Sequence, residues 1–222
     1  MTNILGIFAK YPQPGQVKTR LAAATSPEFA AQIADAMLRD ALDRVAGIEA
    51  ERWLAYAPAD AGAAMTEIAR DRFALIPQGD GDLGQRLDRF FRQRLRSGTE
   101  RIVVIGSDSP TLPTASIALA FEQLESVDVV LGPATDGGYY LIGCSRRVPP
   151  IFTDVGWGES TVLFDTVARL DAACRLALLP PWYDVDTIDD WHMLKGHVAA
   201  LRRTGRDPGV PHVEKLIGVP IS

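Results

Sequence analysis

Short apolar runs alternating with amphipathic stripes at helical spacing constrain this chain more than any other feature. Ile4–Phe8, Trp53–Tyr56, Phe73–Ile76, Ile102–Ile105, Val127–Leu131 and Tyr139–Ile142 read as strands. Several are apolar at successive positions, as strands covered on both faces are. Between and after them, periodicity predicts helices over Pro27–Val45, Ala61–Arg70, Gln85–Arg96, Thr114–Leu124, Ser160–Leu170 and Thr187–Arg203. The first is the clearest. Ala30, Ile33, Ala34, Met37, Leu38, Ala41, Leu42 and Val45 make one stripe behind Ser26 as N-cap and Pro27 as first helical residue. Thr114 is the expected N-cap of the fourth. The alternation predicts an α/β chain with a doubly wound, mostly parallel sheet. Val127–Leu131 and Tyr139–Ile142 are joined by a Gly-rich segment without a helix, so one antiparallel strand there would make the sheet mixed. The expected organisation is one domain over residues 1–222, with an irregular Gly- and Pro-rich tail from about 205.

The balance of charge narrows the partners. The chain has 222 residues, 47% of them hydrophobic and 23% charged, with a net charge of −5. An acidic chain of this kind is not expected to present a broad nucleic-acid surface or a polybasic membrane patch. No apolar run approaches the roughly 18 residues needed to span a bilayer. No charged-then-apolar leader opens the sequence, and Cys144 and Cys174 stand far apart in no metal-ligand spacing. Both observations fit a reducing, cytoplasmic setting.

Within this acidic chain the segment Phe8–Leu21, FAKYPQPGQVKTRL, is a basic exception. It follows the first strand and places Lys10, Lys18 and Arg20 around a loop broken by Pro12, Pro14 and Gly15. Open α/β sheets put ligands at such strand ends, and a cluster of cations there calls for an anion, phosphate first. The loop is not a Walker A, because Pro12 and Val17 stand where that pattern needs glycine. A second glycine pattern, Gly79, Gly81 and Gly84 in QGDGDLG, is not read as a dinucleotide fingerprint. It follows the third strand rather than the first, and Asp80 and Asp82 would repel a pyrophosphate. It reads either as a flexible loop near the ligand or as a surface turn.

Further along, Ile102–Pro110 ends a buried strand in Gly106-Ser107-Asp108-Ser109. Asp108 suits a hard divalent cation shared with substrate phosphates, or it caps the next turn. In GPATDGGYYL, Gly137 and Gly138 permit close backbone approach to a ligand, or they make a hairpin turn. Asp136 there is a candidate base or partner for sugar hydroxyls. DVGWGEST brings Trp157, a stacking face or a packed loop residue, together with Glu159, a second candidate catalytic carboxylate. In DVDTIDD, Thr187 and Asp190 read as a helix cap. Asp184 and Asp186 are expected to point to opposite sides of the extended stretch, leaving Asp186 to face the crevice. His192 and His197 lack metal-ligand spacing, and no Ser-His-Asp set is evident.

FAKYPQPGQVKTRLA, QGDGDLGQRL, IGSDSPTLP, LGPATDGGYYLIG and WGEST, in that order, resemble the DUF2064 type of glycosyltransferase-like bacterial proteins. These belong to the nucleotide-diphospho-sugar transferase superfamily with the GT-A fold. The resemblance implies a Rossmann-like three-layer α/β/α sandwich with a nucleoside phosphate in its N-terminal half. It implies nucleotide binding by Lys10, Lys18, Arg20, Gln78 and Gly84, and Mg²⁺ or Mn²⁺ held by Asp108 and Asp186. It implies substrate binding by Gly137, Gly138, Tyr139 and Trp157. The implied activity is metal-assisted transfer from a nucleotide-activated donor, glycosyl transfer first, to an acceptor the sequence does not name. Nucleotidyl transfer with release of pyrophosphate is the alternative, since VKTRLAAATSPEFAAQIADAMLRDAL is also similar to guanylyltransferases that activate phospholactate-type acids. A non-catalytic nucleotide-binding role is a third reading. The chain departs from the superfamily in two places: Lys10-Tyr11-Pro12 replaces a Gly-rich opening, and Ser107-Asp108-Ser109 replaces Asp-x-Asp.

Overall fold

The computed structural model describes residues 2–95 and 100–219. Its strands are β1 Thr2–Lys10, β2 Glu51–Ala57, β3 Ala74–Pro77, β4 Glu100–Gly106, β5 Val129–Pro133, β6 Tyr139–Ser145 and β7 Leu176–Leu178. They form one sheet in the order β3-β2-β1-β4-β6-β5-β7. β6 runs antiparallel to both β4 and β5, and every other pairing is parallel. The mixed, mostly parallel sheet expected from the helix-free link between the fifth and sixth runs is therefore present. β7, a three-residue edge strand, is an addition. Its Leu-Ala-Leu is too short to carry a period of its own.

The helices are α1 Thr19–Ala23, α2 Pro27–Val45, α3 Gly62–Ala69, α4 Leu83–Arg94, α5 Thr114–Gln123, α6 Val162–Ala168, α7 Ile188–Arg203 and α8 Pro211–Ile217. Side chains of β1 alternate between the two sheet faces. Leu5, Ile7 and Ala9 pack with α2, α3 and α5, while Ile4 and Phe8 pack with Phe90 and Phe91 of α4. Gly6 lies on the α4 side, where a Cβ would stand 2.6 Å from the Phe90 ring, so its absence lets α4 approach. Helices on both sides of the sheet make the three-layer α/β/α arrangement. A third cluster joins α2 to α7 and α8 through Ile33, Met37, Trp191, Leu194 and Val213.

Several helix ends differ from the sequence reading. α4 begins before Gln85 because Asp82 caps it and Gln85 completes the capping box. Arg96, the expected end of that helix, lies outside the described residues. Thr114 is the first residue of α5 rather than its cap, with Pro113 in the cap position. The expected irregular tail carries α8 instead, and the reason lies in α2. Asp40 is fully buried and accepts hydrogen bonds from the backbone N–H groups of His212 (2.9 Å) and Val213 (2.8 Å). These belong to the first turn of α8, whose amides have no partner within the helix. Arg44 adds bonds from its guanidinium to the carbonyls of Pro110, Pro208 and Gly209. Gly and Pro before α8 thus mark a turn that ends at a cap supplied by a residue far away in sequence. Asp40→Ala is expected to lower stability by about 1–3 kcal/mol, the cost of leaving such donors unpartnered. Urea denaturation measures this, and tryptic cleavage at Arg206 should accelerate as α8 loosens.

Candidate active site

The basic loop is held by one bond to the end of β2 and by a turn of its own. After β1, Tyr11 N–H donates to Ala57 O (2.7 Å) and Gln16 N–H to Gln13 O (3.0 Å). Val17 is buried, and Lys18 caps α1 in the left-handed region (φ 48°, ψ 44°). A residue other than glycine is uncommon there and often sits at a functional position. Lys18 lines a cleft of about 670 Å³ at the carboxyl ends of β1 and β4. Two other segments reach the same point. Asp108, just past β4, accepts the Val185 N–H at its carbonyl (3.0 Å), which ties the stretch before α7 to the end of β4. Asp190 then accepts the N–H groups of Asp186 (3.1 Å) and Thr187 (2.8 Å), fixing Asp186 at the start of α7.

Lys18 Nζ lies 2.6 Å from Asp108 Oδ1 and 2.6 Å from Asp186 Oδ1. The lysine side chain is only 5% exposed, whereas the two carboxylates are 45% and 41% exposed. Burial alone would lower the Lys18 pKa. The charges of Asp108 and Asp186, with the hydrogen bonds to them, outweigh burial and hold the ammonium above its ordinary value. The pair fits a divalent ion: the ammonium shows that one cation can contact both carboxylates, and both face the cleft. Mg²⁺ is commonly held by one or two carboxylates with substrate phosphates completing its shell. No group of three or more His, Cys, Asp or Glu that could hold a metal occurs among the described residues.

The other expected site residues divide. Lys10 and Tyr139 line the cleft, and Lys10 also lines an adjoining recess of about 340 Å³. Gln78 lines the cleft too, but its amide donates to Ala9 O (3.2 Å) and Ala55 O (2.9 Å), bracing β1 and β2. Arg20 is exposed on α1 and is not part of the cleft lining. Gly84 is absent from the cleft wall as well. A Cβ there would stand 2.2 Å from Phe152 O and 2.5 Å from the Trp157 indole nitrogen, so it is a packing glycine. Trp157 itself is half-buried, edge-on to Tyr139 (6.4 Å between ring centroids) in the core beside α4. Gly137 has φ 94°, and a Cβ would stand 2.0 Å from Ser160 O. It seats the β5–β6 turn against the start of α6. The Gly138 N–H is taken by Asp136 Oδ1 (2.9 Å), an Asx-type turn closed on itself. Glu159 is exposed and outside the cleft lining.

The structure also brings in groups that the sequence reading left out. Asp184 and Asp186 both line the cleft, with Val185 fully buried between them. Positions two apart in extended chain share a side, so the expected division between them does not hold. Arg86 lines both the cleft and the recess, its guanidinium on Gly81 O (2.9 Å) and Gln78 Oε1 (3.3 Å). Its signal was its place one turn into a helix that starts at the cleft edge.

The family model of DUF2064, described as an uncharacterized protein conserved in bacteria, matches residues 41–159. The chain belongs to the DUF2064 family. No curated protein matches it. Among solved structures it is similar to a Desulfovibrio desulfuricans protein described as a candidate nucleotide-diphospho-sugar transferase. The two are 31% identical over 97% of this chain and 96% of that one, with a TM-score of 0.87. It shares its fold with 4-diphosphocytidyl-2C-methyl-D-erythritol synthase from Anaerococcus prevotii (10% identity, 89% and 99% of the chains, TM-score 0.59). It also shares it with a Mycobacterium tuberculosis protein solved in complex with manganese (17% identity, 87% and 98%, TM-score 0.53).

In this DUF2064 protein Asp184 is the most perturbed carboxyl of the cleft. Burial pushes its pKa up to about 7. The Ser109 hydroxyl, which donates to it, opposes that shift, and the charges of Asp108 and Asp136 reinforce it. A folded-state pKa above the unfolded value means that the folded chain holds the extra proton. The stabilisation is complete below about pH 4 and is lost as pH rises towards 7. Asp184→Asn keeps an acceptor for Ser109 and removes the titration. Its melting temperature relative to the parent should therefore climb between pH 4 and pH 7, as thermal melts in matched buffers would show.

Proposed function

We propose that this protein is a nucleotidyltransferase that couples a nucleoside triphosphate to a phosphorylated acceptor. One observation carries the reading. Apart from Asp82, which caps α4, the charged groups lining the cleft — Lys10, Lys18, Arg86, Asp108, Asp184 and Asp186 — are phosphate- and cation-binding chemistry, while most residues expected to hold a sugar are committed to the fold. Phosphoryl chemistry asks for little beyond positioning and charge stabilisation, which such a set supplies. In the proposed step an acceptor phosphate oxygen bonds to the α-phosphorus. The bond from that phosphorus to the bridging oxygen breaks, and pyrophosphate leaves with the electron pair. Lys10 and Arg86, which line both the cleft and the recess, would hold the departing phosphates. A Mg²⁺ or Mn²⁺ ion on Asp108 and Asp186 would offset charge on the phosphate oxygens, and the manganese complex of a protein with the same fold supports that choice. The synthase with this fold is named for a cytidylyl product, which also supports the reading.

A second reading, glycosyl transfer from a nucleotide sugar, is favoured by the description of the Desulfovibrio relative and by Tyr139, which remains in the cleft wall. Product analysis by mass separates the two. One reaction receives nucleoside triphosphates with phosphorylated acids, the other receives nucleotide sugars. Pyrophosphate is expected from the first, with a drop on the order of a hundredfold in Asp108→Asn, typical of removing one preorganised electrostatic group. A nucleoside diphosphate released only from the second would establish glycosyl transfer instead. Tight nucleotide binding with no product in either would mark a binding protein.

A further inference from the structure

The buried ammonium raises a question that phosphate binding alone does not answer. Lys18 was expected to meet phosphate, yet its Nζ is hydrogen-bonded to the two carboxylates that fit a metal, at 2.6 Å from each. A divalent ion using the same Oδ1 atoms would meet a like charge among them. With the lysine in place the trio carries one net negative charge, and without it two. The lysine therefore lowers the attraction of the pair for any free cation. Lys18 nevertheless lines the cleft, beside Lys10 and Arg86. A phosphate drawn in by those cations would lie within the same space and offer the ammonium a second partner.

We propose that Lys18 is a resident counter-cation: it closes the Asp108–Asp186 pair to free divalent ions and yields the pair when phosphate enters the cleft. This inference rests on the reading that the pair takes a metal ion. It makes metal and phosphate binding cooperative, and by linkage each ligand strengthens the other by the same factor. A lysine that served only to hold the fold together would leave metal-only affinity unchanged when its charge is removed and the fold is kept. A lysine that only met phosphate would leave metal-only binding unchanged when removed.

The test uses Mn²⁺ alone, titrated into the full-length chain with free Mn²⁺ read by electron paramagnetic resonance. It is repeated with inorganic phosphate, against protein-free controls for complexation. In the parent, phosphate should tighten Mn²⁺ binding by about tenfold, an ordinary coupling between two ligands. Lys18→Met should bind Mn²⁺ about tenfold tighter than the parent without phosphate, and phosphate should add less than it adds in the parent. Lys18→Arg, which keeps the charge, should behave like the parent. Adding Asp186→Asn to Lys18→Met should remove the gain. Circular dichroism establishes folding, and Lys18→Asn, whose residue type tolerates the left-handed backbone, serves if the Met variant does not fold. A folded charge-neutral variant that binds Mn²⁺ no more tightly than the parent would overturn the proposal. So would a gain that survives Asp186→Asn. Either failure leaves the pyrophosphate assay standing, and a silent pyrophosphate assay leaves the exchange standing.

Discussion

A single ammonium ties together segments that are far apart in the chain. Lys18 enters from the loop after β1, Asp108 from the end of β4, and Asp186 from the start of α7, 168 residues beyond the lysine. Taking the ammonium out of water is costly, so the contact is better understood as fixing position than as adding stability. Its supports are neutral and local. The Val185–Asp108 backbone bond and the Thr187–Asp190 capping box place Asp186, and the left-handed turn at Lys18 aims the lysine inward.

The topology explains why those segments can meet. From β1 the chain builds β2 and β3 on one side and then crosses to place β4 on the other. Connections leaving β1 and β4 therefore diverge above the sheet and leave a crevice at the carboxyl ends, where open α/β sheets bind ligands. The antiparallel β6 next to β4 then supplies Tyr139–Ile142 as the far wall of the cleft. Beyond that wall the glycines of the β5–β6 turn serve a different end. Gly137 lets the turn close onto α6, and Gly84 lets α4 close onto the Trp157 loop. Removing either hydrogen side chain would push apart layers that the sheet needs on its α4 face.

This division of labour bears on function. Gly137, Gly138 and Trp157 are engaged in packing and turn closure, while Tyr139 lines the cleft with the cations and carboxylates. The half-buried Asp184, which accepts a hydrogen bond from the Ser109 hydroxyl, adds a carboxyl whose pKa is pushed up to about 7. The same cleft wall also carries the apolar ends of β1, β4 and β6.

The layers are written in local periodicity: strands apolar at successive positions and striped helices follow from spacing in the chain. The mixed sheet follows from one link without a helix, and the cap of α7 from Thr187 and Asp190. Lys10, Lys18, Asp108 and Asp186 are legible as cleft residues because they follow strand ends, where open α/β sheets leave a crevice. Tertiary structure alone decided what those groups meet. Whether Lys18 faces phosphate or carboxylate depends on a stretch 168 residues away. Whether Gly137 and Trp157 serve substrate or packing depends on which backbone comes to lie against them. The tail became a helix for the same reason, since the carboxylate that caps α8 belongs to α2. Composition records a residue's capacity for a contact, and only the fold brings the partner within the few ångströms over which hydrogen bonds and packing act.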